Sequence, residues 1–210
     1  MKNRRLISAL IILLITRSVF AQFGIRAGVN LANEIKSFSS EDIAAGFSTD
    51  NLTGYQIGVV YQIMPEKSGL GGEVGLMISQ KGYTFTDSTS LADVVQTGYR
   101  EMNYLEMPLN LRYRLSLGFL GVYGYGGLYG GYTLKGTTVL ESDNTATDMT
   151  FGEFIDRVDY GYNLGLGVEF FKKIEIGASW QQGIKNIAVA TDNADVSKNK
   201  VFSVNITYLF

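Results

Sequence analysis

Apolar residues alternate with polar residues or glycine, at a period of two, in segment after segment of residues 22–210. That period belongs to β-strands with two unlike faces. In residues 22–32, Phe23, Ile25, Ala27, Val29 and Leu31 oppose Gly24, Arg26, Gly28 and Asn30. In 53–63, Tyr55, Ile57, Val59, Tyr61 and Ile63 oppose Gly54, Gln56, Gly58 and Gln62. The pattern recurs in 69–86, where Leu70, Val74, Leu76 and Ile78 oppose Glu73, Ser79 and Lys81. In 102–115, Leu105, Met107, Leu109, Leu111 and Tyr113 oppose Tyr104, Glu106, Asn110, Arg112 and Arg114. Residues 119–135 are rich in glycine and tyrosine, and the pattern does not fix their faces. Residues 158–170, 174–185 and 202–210 complete a set of eight. No apolar run beyond residue 21 approaches the about eighteen residues of a spanning helix, so helical spans are excluded.

The connections alternate in length. Stretches 33–52, 87–101, 136–157 and 186–199 are long and polar, whereas 64–68, 116–118 and 171–173 are short. Long extracellular loops alternating with tight periplasmic turns mark an outer-membrane barrel. Eleven residues at roughly 3.3 Å each, tilted by about 40°, cross an apolar band of about 25 Å. Aliphatic residues fill one face, with Tyr55 and Tyr61 or Tyr160, Tyr162 and Phe170 near its ends. Such rings settle at the headgroup level. The expected fold is all-β: a single closed antiparallel up-and-down transmembrane β-barrel of eight strands. The rival, a soluble sandwich, does not place aliphatic side chains against lipid.

The first 21 residues have the layout of a secretory leader. Lys2, Arg4 and Arg5 precede an apolar run from Leu6 to Ile15, and Val19-Phe20-Ala21 forms a small-residue cleavage site before Gln22. The expected division is a signal peptide over 1–21 and a barrel domain over 22–210, placing the mature protein in the outer membrane, in contact with its lipid. Losing the leader removes four of the 18 Lys and Arg, which leaves 14 against 20 Asp and Glu, a net charge of −6. That balance argues against nucleic acid as a partner. The 25 glycines, 13 Tyr and 12 Phe suit close-packed, girdled strands.

The polar face points into a lumen just wide enough for side chains to fill. By alternation the inward charges are Arg26, Lys81, Arg112, Arg114 and Lys185 against Glu73, Glu106, Asp159, Glu169 and Glu175, five of each sign. An ion-paired plug is expected, because unpaired charge in a narrow lumen is costly. Glu73 is expected to meet Arg112 or Arg114, with Arg26, Glu169 and Glu175 extending the network. The alternative is a narrow channel for small solutes or ions. The chain has no His and no Cys, so the usual general base and thiol nucleophile are missing and no enzymatic activity is expected. Asp156 and Asp159 read as solvated rim charges. No zinc, phosphate-loop or calcium-loop spacing occurs, so no metal or cofactor is expected. Gly124–Gly131 departs from G-x-G-x-x-G because Tyr129 stands at the third glycine. Pro108 cannot donate to a strand ladder and predicts a bulge or local break.

Five ordered motifs carry a resemblance: Phe23-Gly24-Ile25-Arg26-Ala27-Gly28-Val29-Asn30, Gln80-Lys81-Gly82, Tyr104-Leu105-Glu106-Met107-Pro108-Leu109, Asp159-Tyr160-Gly161 and Tyr208-Leu209-Phe210. Together they resemble the PorT-type, "porin family" outer-membrane β-barrel domain over the whole mature chain. The resemblance implies the fold, the outer membrane and, from the founding type, a link to protein secretion, with secretion-system or extracellular protein partners. The name "porin" is not evidence of a pore. Phe210, with Tyr208 and Ile206 on the same face, also resembles the C-terminal signal read by the barrel-insertion machinery.

Overall fold

The computed structural model describes residues 21–37, 46–65, 69–88, 95–142, 145–152, 155–188 and 196–210. Apart from Ala21, the expected leader lies outside them. Nine strands follow in order: β1 (Ala21–Ser37), β2 (Phe47–Ile63), β3 (Leu70–Asp87), β4 (Gln96–Leu117), β5 (Leu120–Leu140), β6 (Thr145–Asp148), β7 (Val158–Phe170), β8 (Ile174–Gly183) and β9 (Val196–Leu209). Every pairing between them is antiparallel. Eight of the strands close into one ring. Its first and last strands meet from Gly24↔Leu209 to Ser37↔Val196. The ninth, β6, stands outside the ring as a short arm on the far end of β5.

The outer surface is an aliphatic band. Leu109, Leu111, Leu128 and Leu166 are each more than 60% exposed, with Tyr55, Tyr61, Tyr113, Tyr160 and Tyr208 among them. In water such a surface would be untenable, but in a bilayer it is the buried one, and closure leaves no unpaired backbone edge. The alternate residues point inward and are mostly polar and buried.

The strands run further than alternation indicates. β2 begins at Phe47, β4 at Gln96 and β9 at Val196, while β5 continues to Leu140, so parts of the stretches expected as loops are ladder. A 22-residue strand such as β4 reaches about twice the ~25 Å apolar band. Beyond that band the outer face meets water and need not be aliphatic, so the period of two fades while backbone pairing persists. Segments 38–45, 89–94, 143–144, 153–154 and 189–195 of those expected loops lie outside the described residues.

The opposite end is tight. Gly118 takes φ +75 between β4 and β5, and Phe171 and Lys172 take φ 54 and 58 between β7 and β8. Two consecutive left-handed residues form the hairpin turn whose twist matches the strands, here without the usual Asn-Gly. The Lys173 N–H donates to the Phe170 carbonyl at 3.0 Å and closes that turn. Phe119 and Phe171, on neighbouring turns, lie 5.8 Å apart.

β5 presents Tyr123 and Tyr129 to the interior, both buried, and Tyr125 shares their face. Glycines make room for the rings. A Cβ on Gly165 would lie 2.3 Å from Tyr125 Cζ, and one on Gly167 or Gly177 2.5 Å from Tyr123 Oη. Pro108 leaves a local break rather than a bulge. Pairing of β3 with β4 stops after Val74↔Leu109 and resumes at Met77↔Glu106 in the same register. The missing N–H costs a rung without shifting a side chain, and the ring packs over Gly75.

Candidate functional site

The lumen is filled in layers, and the strand register sets the height of each. Nearest the short turns lies a layer of three arginines and three glutamates. Glu73, on β3, has Gln62 and Asn110 as cross-strand neighbours. Its carboxylate accepts two parallel bonds from the Arg26 guanidinium, at 2.9 and 2.8 Å, and one from Arg112 at 3.1 Å. Gln62 and Asn110 donate to it at 2.9 and 3.2 Å. Arg112 also pairs with Glu175 and lies 3.7 Å over the Tyr123 ring. Glu175 and Glu169 are directly opposed on β8 and β7. Like charges so placed repel, but each has its own arginine: Arg114 pairs with Glu169 at 3.0 Å and Arg112 with Glu175. Glu73 thus meets Arg26 and Arg112, not Arg114.

Above it lies a cavity of about 40 Å³, with Arg26, Glu106, Pro108, Asn110 and Asn163 among its lining. That volume suits roughly two waters, not a hydrated-ion path.

A second charged layer follows. Lys81 is fully buried and pairs with both Glu106 and Asp159, the latter at 3.5 Å. Tyr129 and Asn199 donate to Asp159 at 3.0 and 2.9 Å. The Lys81 ammonium also sits 4.5 Å from the Tyr129 ring centre and 5.0 Å from that of Tyr104. Apolar side chains cap this layer: Met102, Tyr104 and Ile187, with Met149 packed on them.

Lys185 is not in the lumen. β8 ends at Gly183, and Lys185 beyond it pairs with Asp156 at the mouth, the two side chains 22% and 42% exposed. Of the ten charges expected in the lumen, four cations and five carboxylates lie there, because strand alternation does not continue past residue 183. Glu34, buried opposite Asn199, is a further inward carboxylate. Lys185 donates a hydrogen bond that holds the Asp156 carboxyl below its ordinary range. Asp159 is fully buried, as its inward phase implies, and is not the rim charge that its nearness to Asp156 suggests. The sequence reading missed Tyr123 and Tyr129, because the faces of β5 were unassigned. It missed Asn199 too, which stands in a stretch expected as loop. Ile206, Tyr208 and Phe210 are exposed on the outer face. Phe210 stacks on Phe23 at 6.1 Å, where β9 meets β1.

A closed ring with a lipid-facing aliphatic band and an ion-paired polar filling defines a transmembrane β-barrel of the outer-membrane kind. The chain belongs to the outer membrane protein beta-barrel domain family, whose model matches residues 17–189, and its place is the outer membrane. Among solved structures it is similar to the outer membrane protein OprG from Pseudomonas aeruginosa, at 15% identity and a TM-score of 0.49 over 90% of this chain and 96% of that one. It is also similar to Neisserial surface protein A, at 9% and 0.45 over 90% and 99%, and to a major outer membrane protein from Thermus thermophilus, at 14% and 0.43 over 90% and 99%. No protein of curated function matches the sequence.

Proposed function

We propose that this protein is a sealed, non-enzymatic barrel that meets its partners through its extracellular mouth. The observation that carries this reading is the double plug. Glu73, Arg112 and Glu175 close one level, Lys81 and Asp159 another, and all five are 0–1% exposed. Opening a path would mean separating buried pairs, at about 3–5 kcal/mol each. The mouth has what the lumen lacks: β4 and β5 rise beyond the apolar band and carry the β6 arm. Refolded mature protein in a planar bilayer is expected to give no conductance steps. Reproducible ohmic steps would favour the narrow channel instead. The non-enzymatic reading rests on the lack of His and Cys.

Three finer readings belong to this proposal. The leader is cleaved after Ala21, so the mature N-terminus is Gln22; a mature protein retaining Met1 would overturn it. Phe210, with Tyr208 and Ile206, is read by the barrel-insertion machinery, so deleting Phe210 lowers the heat-modifiable, folded fraction in outer-membrane preparations. The ordered motifs from Phe23 to Phe210 support PorT-type kinship and a part in protein secretion, which an unchanged set of secreted proteins in a deletion strain would remove.

A further inference from the structure

Arg100 stands on β4 in the mouth, opposite Thr138 of β5, which in turn faces Thr147 of β6. Directly paired residues share a face, so these three side chains lie together. Met102 and Tyr104, two and four residues along β4, are fully buried inside the ring, which makes that face the inner one. A cavity of about 220 Å³ opens there, lined by Arg100, Thr138, Thr147, Asp148, Met149, Thr150 and Ile155. The volume is below the usual range for drug-sized ligands and suits a small molecule.

Arg100 is half-buried, and its Nε donates to Thr138 Oγ1 at 3.3 Å. Among the described residues no carboxylate pairs with it. Asp148, the one acid lining the cavity, is bound elsewhere: it pairs with Lys135 at 3.2 Å and accepts from Thr137 at 3.3 Å. The nearby Glu101 accepts from Gln80, and Glu141 from Thr97. A partly desolvated guanidinium that pairs with no carboxylate among the described residues, held by the Thr138 hydroxyl and lying 5.5 Å from the Tyr83 ring centre, matches a planar or tetrahedral oxyanion, which it can grip with two parallel N–H bonds.

We propose that this cavity is a binding site for a small solute bearing a carboxylate or phosphate group. The oxyanion lies on Arg100 with the threonine hydroxyls donating to it, and a short apolar portion rests on Met149 and Ile155. Because the site opens inside the mouth, the ligand is a free solute rather than a membrane lipid. The inference deepens the reading of the mouth as the recognition surface and rests on it. The two fail separately: conductance tests the sealed lumen, and anion binding tests this cavity.

The test is calorimetric titration of the refolded mature protein with inorganic phosphate and with acetate, at matched ionic strength in chloride. At least one should bind saturably. Arg100→Gln should weaken that binding about tenfold or more, and Arg100→Lys should weaken it less, since a point charge keeps the attraction but loses the two-pronged grip. Thr147→Val, on the β6 arm, should also weaken it, and it decides the matter if Arg100→Gln fails to fold. Absence of saturable binding by either anion overturns the proposal. So does unchanged affinity in the folded variants.

Discussion

Lys81→Met is expected to cost more stability than any other single substitution in the barrel. Methionine keeps much of the length and the apolar stem but removes the only cation among the described residues that pairs with Glu106 and Asp159. Both carboxylates are at most 5% exposed, so neither can recover its hydration. Breaking a buried pair by removing one partner costs about 3–5 kcal/mol, and here one removal strands two charges. Asp159→Asn should behave differently. The layer holds two carboxylates for one lysine, so this change restores balance, and the amide oxygen can still accept from Tyr129 and Asn199. A cost of about 1 kcal/mol, the scale of an altered neutral hydrogen bond, is expected there. Replacing Lys81, Glu106 and Asp159 together by Met, Gln and Asn should cost less than Lys81→Met alone. Urea unfolding of refolded protein in lipid gives all three values. If Lys81→Met costs no more than Asp159→Asn, the layer is not held as described.

Alternation revealed the ring because a barrel wall has a different solvent on each side, so Leu109 and Asn110 had to differ. It revealed the inward carboxylates and arginines of β1, β3, β4 and β7 for the same reason. It failed where one of those solvents changed. Beyond the lipid band the outer face of β4 and β5 meets water and need not be aliphatic, so Gln96–Glu101 and Gly136–Leu140 carry no readable period although they are paired. In β5 the signal failed because tyrosine serves on either face. On the inner face Tyr123 and Tyr125 lie against the glycines of β7 and β8, a contact between residues some forty or more positions apart. Lys185 was misplaced by extending a correct phase two residues past the end of its strand. The shared depth of Glu73 and its neighbouring arginines was legible, and so was a β4 arginine as its partner, but not which one, nor that Arg26 would grip it too. Glu73 lies at the level of three arginines, and their side-chain directions decide which of them it meets.

Glu73→Gln tests that choice. The Glu73 carboxylate accepts from Arg26, Arg112, Gln62 and Asn110, drawing together four side chains from β1, β2 and β4. With glutamine there, Arg26 and Arg112 share Glu175 alone, Arg26 at 3.8 Å, and the layer carries an uncompensated positive charge. The glutamine amide also aims donors at donors. A loss of about 3–5 kcal/mol is expected. Arg26→Met added to Glu73→Gln should recover part of that loss, because Arg112 and Glu175 then remain a balanced pair. A double-mutant cycle between positions 26 and 73 should give a coupling at the upper end of the about 0.5–3 kcal/mol seen for residues in contact. Arg114 is the control. It belongs to the same layer and was an equal candidate on sequence, but it pairs with Glu169. The cycle between positions 114 and 73 should therefore stay near additivity, within about 0.5 kcal/mol. Equal coupling of Glu73 to Arg26 and Arg114 would mean that the layer acts as a diffuse pool of charge, with Arg112 bridging its two halves rather than dividing them.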